Sequence, residues 1–475
     1  MGSQSIFTRK TAEELNLTDQ NNKLSKTLSL FQVVSLGIGM VIGAGIFVLT
    51  GNAACNHAGP AVTLSFALAG LVCICAGLCY AEFASMINVA GSSYSYIYMS
   101  FGKLPAFIIG LMTVIGYFFG SITAITGWSG YFVDLLADFK LFIPDHFLYH
   151  TGKVLVHNGS QKYSILNLPS FLVTLVITFA SLYRVRLSSF TTSFLVVIKM
   201  LILIIFIIVG SRYINMENLT PYIPSGCGEY GQFGFPGIVV GSTVVFLSFN
   251  GFDAVCTAAQ ETKEPHKNIP LGILITIITV TLVYISTALV LTGIVHYKEL
   301  CVPQSFAVAL KKINIPWFNY LIKIGALTGL TSVIIVSLFT VVRMLLVMAS
   351  DGLIPSFFAV VDKKRKTPYR LTLCVGLGMA IVSSVFHLDF MIKISSFLIL
   401  ISLVSVCSAA IFMRYDSPNV KRGFKCPYMP LIPIVAIILI LCILAHYPLQ
   451  IYLSVAVILL FLLCSYFVFS HRQSP

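Results

Sequence analysis

Four glycines interrupt the first long apolar stretch of the chain, which reads GIGMVIGAGIFVL over residues 37–49. Because glycine costs about 1 kcal/mol relative to alanine inside a helix, this density predicts a helix that is broken near its middle. Opened backbone is tolerated at membrane depth only where it lines a cavity or is buried in protein. In secondary transporters such a break marks the binding site. The alternative is close helix packing, since Gly39 and Gly43, four residues apart, also form a packing surface.

A second break is predicted where the polar residues Ser248, Asn250 and Asp253 surround Gly251 in a later apolar run. Opening the first helix over residues 42–45 frees N–H groups at a positive helix end, which suits a carboxylate. Opening the second helix frees carbonyl groups at a negative helix end, which suits an ammonium group. One zwitterion can bridge both breaks. The predicted substrate-binding residues are Ile42, Gly43, Ala44, Gly45, Phe246, Leu247, Ser248, Phe249, Asn250 and Gly251.

Lys199 lies near the centre of another apolar run, SFLVVIKMLILIIFIIVG. At 1.5 Å per residue it is about 15 Å from either end of a helix, which is too deep for its side chain to reach water. A lysine at this depth is rare and is interpreted by default as functional. The alternative is a structural tether that never changes its protonation state.

Two polar residues of the second break each admit two roles. Asn250 either contacts the side chain of the substrate or satisfies backbone groups that the break leaves open. Asp253 either carries a proton or caps the second half of the helix. Capping is favoured, because hydrogen-bond acceptors are preferred at helix N-termini.

Apolar runs of about 20 residues, the length that spans a bilayer, must position these side chains. The chain is 57% hydrophobic and 10% charged, whereas about a quarter of a soluble domain is charged, so the sequence predicts an all-α polytopic membrane protein. Twelve spans are predicted, near residues 29–50, 60–82, 104–136, 166–184, 190–210, 235–257, 269–295, 317–348, 371–387, 391–413, 429–447 and 449–470.

Lysine and arginine residues in the loops predict the orientation. With the N-terminus inside, the inner loops, including residues 363–366, hold roughly twice as many of them as the outer loops. Both termini are therefore predicted to be cytoplasmic, in a plasma or inner membrane. Residues 1–27 are polar and form the predicted N-terminal segment, without the apolar core of a cleavable signal. The net charge of +13 does not indicate nucleic acid, because the basic residues lie in short loops.

An internal repeat is predicted from the spacing of the spans. The first five helices occupy residues 28–210 and the next five occupy residues 234–414, at nearly equal length. Because five is odd, the second half must enter the membrane the other way up, which is the inverted-repeat plan of many transporters. The two predicted breaks, in helices 1 and 6, fall at matching places. Helices 11 and 12, at residues 426–470, lie outside the repeat.

Four motifs in register resemble one superfamily. They are GMVIGAGIFVLTG followed by HAGPA at 57–61, GLCYAEFASMINVAGSSYSY at 77–96, GFDAVCTAAQETKEPHKNIPLGI at 251–273, and RMLLVMASDGLIP at 343–355. They resemble the amino acid–polyamine–organocation transporters, and within them the cationic amino-acid transporter branch and its twelve-helix bacterial relatives. The resemblance implies the leucine-transporter fold, with a five-plus-five inverted repeat, broken helices 1 and 6, and helices 11 and 12 outside the core.

The resemblance also implies roles for particular residues. The amides of Gly43, Ala44 and Gly45 would hold the α-carboxylate of the substrate. Lys199 would stand where sodium-coupled relatives hold their cation between helices 1 and 8, with Thr331 and Ser332 as its partners, so that a proton replaces sodium. Glu82 would be a gate or orientation residue, although a simple interfacial carboxylate is the alternative. Residues 137–165 contain no cysteine, so the disulfide-linked heavy chain of one rival branch is not expected.

The sequence therefore predicts a secondary active permease that takes up cationic or small neutral L-amino acids with protons by alternating access. The alternative is a sodium-independent exchanger of amino acids or polyamines. A membrane-embedded enzyme is disfavoured, because the membrane segments contain no metal-ligand histidine pair, nucleophile elbow or phosphate loop. No cofactor or metal is predicted. Most of the twelve cysteines fall in apolar runs and are interpreted as small buried hydrophobic residues.

Overall fold

The computed structural model describes most of the chain. The described residues are 8–11, 14, 28–43, 45–87, 89–141, 144–148, 154–157, 160–164, 166–183, 185–226, 228, 231–302, 305–313, 315–362, 367–385 and 388–472. The predicted site residue Ala44 and the basic residues 363–366 lie outside them.

Helices make up nearly all of the described chain. The apolar helices, numbered in chain order, are helix 1, Leu30–Val41 and residues 45–58; helix 2, Val62–Met86; helix 3, Lys103–Asp138; helix 4, Leu168–Tyr183; helix 5, Val185–Gly210; helix 6, Gly234–Phe246, Leu247–Phe249 and Phe252–Glu261; helix 7, Pro265–Ile294; helix 8, Pro316–Ser350; helix 9, Tyr369–Val385; helix 10, Leu388–Asp416; helix 11, Leu431–Leu444; and helix 12, Leu449–Arg472.

Within the described chain, nine helical segments are long and apolar enough to cross a membrane. Helices 4, 9 and 11 are also apolar but are shorter. Two further α-helices, Ser93–Phe101 and Ser305–Ile313, lie in connections. A hairpin lies between helices 3 and 4, in which strands Val154–His157 and Ser160–Tyr163 pair antiparallel.

Helices 1 and 6 are both interrupted near their middle, as the glycine and polar patterns predict. Helix 1 leaves α-helical geometry after Val41 and resumes at Gly45 with a π-helical turn. Helix 6 narrows to a 3₁₀ turn at Leu247–Phe249 and continues as a 3₁₀ helix from Phe252. Each of the two breaks therefore leaves backbone N–H and C=O groups without the partners that a continuous α-helix would give them.

Helices at corresponding positions of the two predicted halves pack against one another. Helix 2 packs on helix 7, helix 3 on helix 8, and helix 4 on helix 9. The first half of helix 1 packs on the last part of helix 6, and the second half of helix 1 packs on the first part of helix 6. Helix 5 packs on helices 1 and 8, and this contact brings Lys199 to the break in helix 1.

The two ends of the bundle carry different connections. The end that holds residues 8–11 is called the N-terminal face here, and the opposite end is called the far face. At the far face Cys55 of helix 1 forms a disulfide with Cys301 in the connection between helices 7 and 8. Cys374, Cys442 and Cys464 are exposed, so the interpretation of the cysteines in apolar runs as buried is wrong for these three, which lie on the outside of helices 9, 11 and 12.

Candidate functional site

The breaks of helices 1 and 6 lie directly against each other. A Cβ atom built on Gly45 would be 2.4 Å from the Cα atom of Ser248, so the two backbones approach this closely only because position 45 is glycine. Gly251 has a φ angle of 111°, and a Cβ atom there would be 2.1 Å from Cγ of Met40. The breaks thus combine opened backbone with close packing, the two alternatives that the glycine pattern left open.

A small cavity, called the central cavity here, lies between the two breaks and helices 3, 8 and 10. It leaves about 40 Å³ for the centres of water molecules, which is room for a few waters and too little for a whole amino acid. A substrate would therefore need the surrounding helices to move apart. The wall of the cavity is formed by Met40, Val41, Gly43, Gly45, Gly116, Tyr117, Gly120, Thr123, Ala124, Leu247, Asn250, Val333 and Ser395.

Lys199 is fully buried and reaches the break in helix 1. Its Nζ atom donates hydrogen bonds to the carbonyl oxygens of Gly39, at 3.0 Å, and Ile42, at 2.7 Å. A third bond, of 2.8 Å, goes to the hydroxyl oxygen of Ser332 on helix 8. Three acceptors match the three N–H bonds of an ammonium group, whereas a neutral amine has only two. The side chain thus joins helix 5 to helices 1 and 8.

Of the two predicted partners of Lys199 on helix 8, the structure brings Ser332 to it and holds Thr331 elsewhere. The Ser332 hydroxyl oxygen also lies 2.9 Å from the carbonyl oxygen of Gly39, so it belongs to the same network. The Thr331 hydroxyl accepts a hydrogen bond from the indole N–H of Trp128 and lies 2.7 Å from the carbonyl of Leu327 in its own helix. Thr331 therefore links helix 8 to helix 3.

Tyr284 of helix 7 connects the two breaks and was not predicted. Its hydroxyl oxygen lies 2.8 Å from the carbonyl oxygen of Val41 and 2.9 Å from that of Ser248, and its side chain is fully buried. The hydroxyl has one proton to donate, which the two carbonyls share. A tyrosine in an apolar helix carries no sequence signal that would distinguish this bridge from ordinary packing.

The residues of helix 6 whose carbonyl groups are predicted to face the substrate divide between the cavity and the core. Leu247 lines the central cavity. Phe246 and Phe249 are almost completely buried, and the ring of Phe249 packs on those of Phe66 and Tyr284. The carbonyl of Ser248 already receives the Tyr284 hydroxyl. Part of the backbone at the break in helix 6 is therefore already hydrogen-bonded within the protein.

Asn250 faces the central cavity. Its side-chain oxygen is buried and accepts no hydrogen bond from the described residues. An unpaired buried acceptor is costly, by about 1–3 kcal/mol. Of the two roles open to this residue, contact with a ligand therefore fits the geometry better than support of the broken backbone.

Asp253 follows the break and is 1% exposed. Its carboxylate accepts a hydrogen bond from the hydroxyl of Tyr117, a residue of helix 3 that lines the central cavity. The hydroxyl of Ser92 donates to the backbone carbonyl of Asp253, at 3.3 Å. The carboxylate lies in the first turn of the last part of helix 6, where the N-cap residue is Gly251 and no side chain caps the helix, and it ties that turn to helix 3.

Glu82 lies at the N-terminal face, where its carboxylate is 4% exposed. It accepts a hydrogen bond of 2.6 Å from Arg414 of helix 10 and one of 2.8 Å from the backbone N–H of Cys426. The guanidinium of Arg422 is 3.0 Å from its other oxygen. Glu82 therefore orients the connection between helices 10 and 11 against helix 2.

The N-terminal face is closed by two further buried ion pairs. Glu261, at the end of helix 6, pairs with Arg343 of helix 8. Lys10 pairs with Asp351 at 2.6 Å, and the hydroxyl of Tyr94 donates to the same carboxylate at 2.7 Å. These contacts tie the end of helix 8 to helix 6 and to the N-terminal segment at this face. Among the described residues, no group of three or more His, Cys, Asp or Glu side chains is arranged to hold a metal ion.

Paired breaks, a cavity between them and a buried lysine across the break form the candidate site, and this arrangement is the one expected of a transport protein. A family model described as amino acid permease matches residues 28–469. The chain belongs to the amino acid permease family. This confirms the resemblance to the amino acid–polyamine–organocation transporters that the four motifs carry.

Individual members of the family match over most of this permease. The methylthioribose transporter of Bacillus subtilis (strain 168) is 36% identical over 470 residues, 99% of each chain. The branched-chain amino acid permease BcaP of the same organism is 34% identical over 472 residues, 99% of this chain and 98% of that protein. Cationic amino acid transporter 9, chloroplastic, of Arabidopsis thaliana is 34% identical over 344 residues, 71% of this chain and 58% of that protein. The relatives are transporters, so this permease is an integral membrane protein and not an enzyme.

Proposed function

We propose that this permease takes up small L-amino acids, neutral or cationic, together with protons by alternating access. The observation that carries the proposal is the position of the Lys199 ammonium group between helix 5, the break in helix 1 and Ser332 of helix 8. Because the ammonium group is held there, the protonation of Lys199 determines how strongly helix 5 is bonded to helices 1 and 8. The paired breaks beside it supply a site for the two charges of an amino acid.

The proposed architecture has twelve membrane-spanning helices and a five-plus-five inverted repeat over residues 28–210 and 234–414. Helices 4, 9 and 11, though shorter than the other nine, are each joined to long apolar neighbours and complete the count of spans. The pairing of helices 2 with 7, 3 with 8 and 4 with 9 supports the repeat, because a two-fold relation brings equivalent elements together at its axis. Helices 11 and 12, within residues 426–470, stand outside it.

The proposed orientation puts the N-terminal face, with residues 1–27 and the C-terminus, in the cytoplasm of a cell bounded by a plasma or inner membrane. The excess of lysine and arginine in the loops of that face supports it. The disulfide between Cys55 and Cys301 lies at the far face, and disulfides persist in the oxidising space outside the cytoplasm.

In the proposed binding mode, the α-carboxylate lies against the amides of residues 43–45, and the α-ammonium group lies against the carbonyls of Leu247 and its neighbours. Gly43, Gly45 and Leu247 all line the central cavity. The second half of helix 1 begins there, so its unpaired N–H groups and its dipole favour an anion. Asn250, with an unpaired oxygen in the same wall, contacts the side chain of the substrate.

Coupling follows from the hydrogen-bond count at Lys199. The protonated side chain satisfies two carbonyls and one hydroxyl, and so it holds helix 5 to helices 1 and 8. When Lys199 loses its proton to the cytoplasm, its amine keeps only two N–H donors, and one of the three acceptors then faces the nitrogen lone pair. This weakens the contact of helix 5 with helices 1 and 8 and favours opening to the N-terminal face. Uptake should therefore rise when the outside is acidified and depend little on sodium.

The test is uptake of labelled amino acids into proteoliposomes with and without an inward proton gradient, for native protein and the Lys199→Met variant. Methionine keeps the length of the side chain without its charge. The variant should lose accumulation against a gradient while retaining exchange of substrate across the membrane. Lys323→Met is the matched control. Lys323 is also buried, but it lies near the far-face end of helix 8 and pairs with Asp134 and Asp138 of helix 3.

Full proton-driven accumulation by Lys199→Met would reduce Lys199 to a structural tether. Accumulation that needs no proton gradient, but needs amino acid inside the vesicles, would instead establish a sodium-independent exchanger. Because one relative is named as a methylthioribose transporter, that compound belongs in the panel beside branched-chain and cationic amino acids. Its selective uptake would replace the amino acid as the proposed substrate.

A further inference from the structure

A second, larger cavity opens at the far face, directly beyond the central cavity. It has a volume of about 420 Å³ and shares Leu247 with the wall of the central cavity. Its walls come from the second half of helix 1, the first part of helix 6, the start of helix 10 and the turn between helices 11 and 12. A molecule that enters the central cavity from the far face would pass through this entrance cavity.

Lys393 of helix 10 is the charged side chain among the described lining residues of the entrance cavity, and no aspartate or glutamate is among them. The same wall contains the imidazole rings of His57 from helix 1 and His446 from the turn after helix 11. Lys393 is exposed to the cavity and forms no ion pair with any described residue. An ammonium group without a counter-ion gives the entrance a positive potential, which its concave walls concentrate.

No charged side chain that could meet a cationic substrate is among the described lining residues of the central cavity. Its polar side chains are the neutral groups Tyr117, Thr123, Asn250 and Ser395. The carboxylate of Asp253 is near but is not part of the wall, and it is bonded to the hydroxyl of Tyr117. The backbone breaks can balance the two charges of the amino-acid backbone, but a third charge on a side chain would be buried without a partner, which is strongly unfavourable.

We propose that Lys393 is a charge filter and that the substrate is a zwitterion with an uncharged side chain. The ammonium group attracts the α-carboxylate into the entrance cavity and repels arginine, lysine and polyamines. The apolar wall residues Met40, Val41 and Val333, with the unpaired oxygen of Asn250, receive a neutral side chain of small or medium size. This inference rests on the proposed function and narrows it to neutral amino acids.

The experiment compares initial uptake of labelled alanine, leucine, arginine and lysine by native protein and by Lys393→Gln and Lys393→Glu in proteoliposomes. The native protein should take up the neutral amino acids several-fold faster than the cationic ones. At low salt, Lys393→Glu should slow neutral uptake and raise the arginine-to-leucine ratio by about fivefold, as expected for reversing one charge at about 8 Å in a water-filled entrance. High salt should remove most of this difference. Lys393→Gln should fall between the two.

Lys311→Gln is the matched control, because Lys311 is an exposed lysine of the far-face helix Ser305–Ile313 and is not in the cavity wall. It should behave like the native protein at both salt concentrations. Size-exclusion profiles identify any variant that fails to fold, and Lys393 is exposed, so its replacement should not disturb packing.

The outcomes distinguish failure of this inference from failure of the proposed function. Native uptake of arginine or lysine at a rate comparable to leucine would overturn the assignment of a neutral substrate but leave a working permease. Equal ratios for Lys393→Glu and Lys311→Gln would overturn the filter at Lys393. Absence of uptake for every amino acid would instead reject the proposed function, together with the inference that depends on it.

Discussion

Adding a single methyl group at position 43 tests how the break in helix 1 is held. A Cβ atom on Gly43 would lie 2.4 Å from Cγ2 of Val333 on helix 8, whereas non-bonded carbon atoms pack at about 3.5–4.0 Å. Overpacking of this kind costs about 1–3 kcal/mol, and this corresponds to about a 5- to 150-fold loss of affinity if it falls on the bound state. Gly43→Ala should therefore weaken substrate binding within that range.

A second substitution, at Val333, should relieve this steric clash. In Val333→Ala the Cγ2 atom is absent, and the remaining Cβ atom would be 3.5 Å from the new methyl group, an ordinary contact. The double variant Gly43→Ala/Val333→Ala should therefore regain binding to within about 0.5 kcal/mol of Val333→Ala alone, since the two positions interact directly. The assay is equilibrium binding of labelled substrate to purified, monodisperse protein, with all four proteins measured in parallel.

A double variant as weak as Gly43→Ala would refute this reasoning. The methyl group would then act on the ligand, by entering the space in which the carboxylate is proposed to bind. The larger change Gly43→Val should abolish binding in either case, and near-normal affinity of that variant would defeat the carboxylate site itself.

Three further outcomes are expected. Asn250→Ala should change the ranking of substrates in competition uptake by about tenfold or less, the worth of one hydrogen bond, and an unchanged ranking would assign the side chain to the backbone of the break. Tyr284→Phe removes the hydroxyl shared by two buried carbonyls, so it should lower stability by about 1–3 kcal/mol in thermal unfolding, and superimposable melting curves would contradict the bridge. Lys10→Ala deprives the buried carboxylate of Asp351 of its ammonium partner and should lower stability by about 1.5–3 kcal/mol. Arg9→Ala, whose partner is exposed, should have little effect, and equal shifts for both variants would refute the closure at Lys10.

The broken helices could be predicted because their signals are local. The glycines at 37, 39, 43 and 45 and the polar residues around Gly251 stand in short apolar runs, where each carries a known cost. Lys199 was equally visible, since a charge at that depth needs a protein partner. The resemblance to a family then suggested helix 8, and it named Ser332, which bonds to Lys199, together with Thr331, which bonds to Trp128.

The other parts of the site depend on contacts between distant residues. Tyr284 is 243 positions from Val41, and Cys55 is 246 positions from Cys301. A single sequence does not state which tyrosine bridges two carbonyls or which cysteines pair. The charge of the entrance cavity was hidden for the same reason, because Lys393 and its neighbours come from three helices and the turn between helices 11 and 12.

The break divides helix 1 into two arms, and the disulfide between Cys55 and Cys301 constrains one of them. Gly51 tightens the attachment, since a Cβ atom there would be 2.4 Å from Cβ of Ser305. The arm beyond residue 45 is clamped to the connection that precedes helix 8, and any tilt of that arm must carry the connection with it. The arm before residue 42 is held by hydrogen bonds from Lys199, Ser332 and Tyr284, which can exchange partners, and not by a covalent bond. We therefore expect any bending at the break to displace the arm at the N-terminal face more than the arm at the far face.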